Sequence, residues 1–73
     1  MTRSETLAIM SILKAAYPGY YRDMKRQDAE AVVNLWAEML ADYPANLVAA
    51  AVKSHIASDR KGFPPHIGAI IAA

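Results

Sequence analysis

The apolar positions of this chain fall into four blocks of helical spacing, punctuated by prolines and by Gly62. Thr2 followed three residues later by Glu5 matches the capping box, in which a hydroxyl and a carboxylate each satisfy a backbone N–H left unpaired at a helix start. The first helix is predicted to begin there. Leu7, Ile9, Met10, Ile12, Leu13, Ala16 and Tyr17 then form an apolar band wide enough to touch two neighbouring helices. Pro18 disfavours helical geometry at Tyr17 and Gly19 permits a left-handed turn, so this helix is expected to close near Tyr17.

The link from Pro18 to about Lys25 is aromatic and charged rather than small and flexible, which suggests an ordered corner. A second helix follows, with Ala29, Val32, Val33, Trp36, Met39, Leu40 and Tyr43 on one arc and Glu30, Asn34 and Glu38 opposite. Pro44 ends it and suits the first position of a third helix, since its fixed φ is helical and its missing N–H would have lacked a partner. That helix runs from about Pro44 to about Ser58, with Leu47, Val48, Ala51, Val52, His55 and Ile56 on one side. Two helices joined so tightly are expected to pack together. Asp59, Arg60, Lys61 and Gly62 stop it, the basic pair complementing the helix dipole. Pro64 keeps Phe63 extended, and Pro65 opens a fourth helix in which Ile67, Ile70 and Ile71 share a face. The expected fold is all-α, a small four-helix bundle-like domain with short Pro-containing corners.

With 73 residues the chain has room for one helical domain, 1–73, and one modest core, which rarely supplies more than about 3–5 kcal/mol of net stability. A hydrophobic content of 55% and a charged content of 21% lie in the globular range. A net charge of +1 gives no strong field for phosphate backbones, so direct nucleic-acid binding is disfavoured. Cysteine is absent, which removes disulfides and thiolate metal sites. No long uninterrupted apolar run is present, so no membrane span is expected and a cytoplasmic location is. The chain stops at Ala73 inside an apolar helical pattern without a cap, from which it is expected to be the folded N-terminal part of a longer chain.

The candidate chemistry is sparse. His55 projects from an apolar arc and His66 follows Pro65, with no cysteine or carboxylate cluster to complete a metal site, so both read as structural. Asp23, Asp28, Glu30, Glu38, Asp42 and Asp59 are spread along solvent faces, and Glu38 and Asp42, four apart, read as a solvated strip. No catalytic residue, cofactor site or metal site emerges, and no enzyme is expected. Trp36, central in its arc, reads as a core anchor rather than an interface hot spot. Tyr20, Tyr21, Arg22, Lys25 and Arg26, with Arg60 and Lys61 as a second basic point, form the candidate partner-binding cluster. They read either as a docking surface for a protein or single strand, or as an ordered corner with snorkelling side chains.

Three ordered motifs carry a resemblance. An Ala-Tyr-Pro-x-x-Tyr corner begins at Ala16, a Leu-Trp-x-x-Met-Leu-x-Asp-Tyr-Pro helix end spans Leu35 to Pro44, and Phe63-Pro64-Pro65-His66-Ile67 starts the last block. Together they resemble the bacteriophage replicative-helicase loader and inhibitor family. The resemblance implies a small helical protein that binds the hexameric replicative helicase, holds it inactive and hands it to an origin-bound initiator. It also implies a folded N-terminal part followed by a flexible segment that contacts the helicase. On that basis Tyr17, Pro18, Trp36, Leu40, Tyr43, Pro44, Phe63, Pro64 and Pro65 are expected to be scaffold. The alternatives are a small DNA-binding module using Arg22, Lys25, Arg26, Arg60 and Lys61, and a helical adaptor self-associating through Ile67, Ile70 and Ile71.

Overall fold

The capping box forms as its spacing requires. In a computed structural model, which describes residues 1–72, Thr2 Oγ1 accepts from the Glu5 N–H at 3.1 Å and Glu5 Oε1 accepts from the Thr2 N–H at 2.8 Å. Helix α1 (Arg3–Ala16) starts behind it, and the fully buried Thr6 hydroxyl donates to the Thr2 carbonyl. The chain then forms α2 (Pro18–Tyr21), α3 (Arg26–Met39), α4 (Ala45–Ser58) and α5 (Ile67–Ala72), with no strand among the described residues.

The all-α class holds, with one element more than the periodicity indicates. The corner after Tyr17 is itself a turn of helix with Pro18 at its first position, and Gly19 sits inside it rather than in a left-handed conformation. Among the described residues only Gly62 has a positive φ, at 77°. Helix α3 ends at Met39, earlier than the apolar arc suggests, and Pro44 disfavours helical geometry at Tyr43. Asp42 therefore lies beyond the helix and does not share a face with Glu38. Pro44 is the extended residue before α4, with ψ 136°, and not its first turn. Pro65 is buried in an extended stretch, and α5 starts two residues later, where the His66 carbonyl accepts from Ala69 and Ile70.

Helix α1 is the spine. Its broad band packs against both α3 and α4, while the two helices flanking Pro44 pack on it instead of on each other. Ile9, Leu13 and Tyr17 of α1 meet Trp36 and Leu40 from α3 and its end, Val48 and Val52 from α4, and Ile70 from α5. Arg3 bonds Asn34 at one level, and the Met1 ammonium donates to the carbonyls of Ala41 at 2.6 Å and Tyr43 at 3.0 Å. At the other end of α1, Tyr17 meets His55 and Asp59. Thus α3 runs against α1 and α4 runs alongside it. The molecule measures 30 × 29 × 17 Å, and so thin a layer fully encloses few large side chains: Leu13, Leu40, Val52 and Thr6. For the same reason Leu7, Met39, Tyr43 and Leu47, each on an apolar arc, remain substantially exposed.

Of the α5 residues considered for self-association, Ile70 is buried, and Ile67 and Ile71 are half-buried against the core.

Candidate partner-binding surface

The candidate cluster is assembled by the top of the spine. Tyr17 follows α1, and its hydroxyl donates to Asp59 Oδ2 at 2.8 Å, fixing the turn after α4 beside the α2 corner. Asp59 Oδ1 accepts from the N–H groups of Lys61 at 3.0 Å and Gly62 at 3.2 Å, an Asx-type closure that holds Arg60 and Lys61 outward on the turn. His55 Nε2 lies 2.9 Å from the Phe63 carbonyl and its ring tilts against Tyr17. Phe63 is met edge-on by Tyr20, with ring centroids 5.9 Å apart. Together these contacts preset the turn against α2.

They also set the local titrations. The Tyr17 hydroxyl holds the Asp59 carboxyl below its ordinary range against the opposing effect of burial, helped by the two backbone N–H groups and the charge of His55. Burial first, and then the bond to Asp59, push the Tyr17 phenol up to about 12. Burial, with neighbouring Tyr20, also raises Tyr21. Sequence spacing places Asp59 on a solvent face; in the fold it is instead the clasp of the turn, and its oxygens are occupied.

The sequence-predicted residues meet at one end of the molecule but play different parts. Tyr20 is half exposed, while Tyr21 is half-buried against the core and forms a wall rather than a free contact. Arg22 follows α2, its N–H bonded to the Pro18 carbonyl, and Lys25 precedes α3; both side chains are exposed. Arg26 pairs with Glu30 one helical turn along. Lys14 joins them, lining a groove with Tyr21 and Met24. The cations at this end are thus Lys14, Arg22, Lys25, Arg26, Arg60 and Lys61, leaving only Arg3 and Lys53 elsewhere. Among the described residues, Arg26 alone of these forms an ion pair. Asp23, Asp28, Glu30 and Asp59 lie at the same end, and Glu5, Glu38 and Asp42 toward the opposite one.

Between α2 and the residues after Gly62 runs a groove. Its floor is Met10, Val32, Trp36 and Ile67, and Tyr20, Tyr21, Phe63, Pro64, Pro65 and His66 wall it. Tyr17, Trp36, Leu40 and Pro65 are scaffold, as expected. Phe63 is not: at 55% exposed it stands on the rim, and its sequence signal is that the extended residue before two prolines has no helical face on which to hide.

A family model for the N-terminal domain of the phage SPP1 helicase loader and inhibitor matches residues 1–71, nearly the whole chain. The chain belongs to this family. The motif-based resemblance and the family match therefore agree. Membership in the helicase-loader family associates the chain with the replicative helicase in phage DNA replication. No curated protein and no solved structure matches it. Among the described residues, no helix is long and apolar enough to cross a membrane.

Proposed function

We propose that this helicase-loader domain binds the hexameric replicative helicase in the host cytoplasm, holds it inactive and delivers it to an origin-bound initiator, acting by stoichiometric contact and without catalysis. The family match across residues 1–71 carries the reading. The geometry supports it, because Tyr17 and Asp59, whose titrations are displaced, are occupied in fixing a surface turn and are not an unengaged acid–base pair in a cleft. The preset corner also favours docking, since a surface that is ordered before binding loses little entropy on association.

The test is titration of the cognate hexameric helicase with the full-length protein, following co-purification and helicase ATPase activity. Co-purification with saturable depression of ATPase at a fixed stoichiometry is expected. Absence of any complex would refute the proposal.

A further inference from the structure

We propose that the α2 corner, the Asp59–Phe63 turn and the groove between them dock an acidic peptide segment of the partner that carries an aromatic or aliphatic anchor. The identity of that partner rests on the helicase reading above, whereas its chemistry follows from this surface alone. Charge complementarity sets the polarity. Arg22 and Lys25 follow the wall residue Tyr21 in the chain and Arg60 and Lys61 precede Phe63; all four are exposed, and among the described residues none of them forms an ion pair. Asp59, next to Arg60 in the chain, is engaged by Tyr17 and by two backbone N–H groups and forms no ion pair with Arg60 or Lys61. Exposed cations of this kind steer an anionic partner and fix its register.

The groove sets the second requirement. Its floor is apolar, and the exposed ring of Phe63 stands beside it against Tyr20. Such a rim and floor accommodate one apolar side chain flanked by carboxylates. A single-stranded nucleic acid fits less well. Tyr20 and Phe63 meet at an interplanar angle of 79° and so do not offer parallel faces to successive bases.

The probes are a synthetic peptide of Glu and Asp residues around one Phe-Leu pair, its Gln/Asn counterpart, and an oligo-dT strand. Each is titrated into the isotopically labelled chain while backbone amide shifts are followed. The acidic peptide is expected to move Tyr20, Lys61, Phe63 and Ile67, and to bind about tenfold more tightly than the neutral one. Arg60→Glu combined with Lys61→Glu should weaken acidic-peptide and helicase binding alike by about tenfold, with a cooperative thermal melt retained. Phe63→Ala should weaken peptide binding by a similar factor. Equal binding of the neutral peptide, shifts confined to the Glu38–Asp42 end, or tighter and steeply salt-dependent binding of oligo-dT would each overturn the proposal. Helicase binding that persists unchanged in the charge-reversed variant would sink this surface and leave the functional reading standing. Acidic-peptide binding here by a chain that fails to engage the helicase would do the reverse.

Discussion

Tyr17 joins the end of α1 to the turn after α4 through one hydroxyl, and that bond couples two titrations. Asp59 is held below its ordinary 3.8, so its contribution to stability is complete above that value and is lost as pH falls through the lower folded value. The phenol is raised from 10.0 to about 12, so its contribution is complete below pH 10 and is lost as pH rises toward 12. Tyr17→Phe should therefore lower the thermal midpoint at neutral pH and flatten both limbs of the stability profile. The alkaline slope should not vanish, because Tyr21 is also raised. Thermal melts across the two pH windows check this, and an acid limb as steep as in the parent protein would show that the bond is not formed. None of this is visible in the sequence: a carboxylate partner 42 positions away leaves no local trace, so Asp59 reads as solvated. What is legible is the turn itself, from an Asp three residues before a glycine that adopts a positive φ.

At the level of elements, signals confined to one turn of chain translate directly into structure, and those that depend on neighbours do not. The capping box lies within four residues and forms as drawn. Thr2→Ala should cost about 1 kcal/mol, which lowers the midpoint by about 4–8 °C in a domain of this size. Thr2→Ser should restore most of it, since the hydroxyl is what the Glu5 N–H requires. An unshifted melt for Thr2→Ala would mean that α1 frays there without consequence. The one-turn helix α2 escapes a periodicity reading because four residues carry no measurable period. The end of α3 and the start of α4 differ from the expected bounds: α3 stops at Met39 although the apolar arc continues, and Pro44 is extended ahead of α4. The carbonyls released there are taken by the Met1 ammonium, a favourable charge at a helix C-terminal end.

For the whole molecule, a net charge of +1 conceals a modest asymmetry, in which most cations gather around the α2 corner and outnumber the acids that lie there with them. Composition cannot show this, since it depends on the antiparallel course of α3 and the parallel course of α4 about α1. The width of the α1 band does indicate two neighbours, but periodicity gives no identities, and the tight Pro44 corner suggests the wrong pair. Because both flanking helices depend on α1, the core is only as sound as its central residue. Leu13 is fully buried, and truncating such a side chain to alanine costs about 2–5 kcal/mol. A domain of this size rarely has more than about 3–5 kcal/mol in total. Leu13→Ala should therefore be substantially unfolded at 37 °C, with Trp36 emission shifted to the red of the folded protein and helicase binding lost along with it. Arg60→Glu with Lys61→Glu, both exposed, should keep the parent's cooperative melt, so loss of binding in that variant reports contact rather than folding. Urea titration followed by Trp36 fluorescence separates the two cases. A Leu13→Ala protein that unfolds at the parent midpoint would mean that α3 and α4 hold together without the helix placed between them.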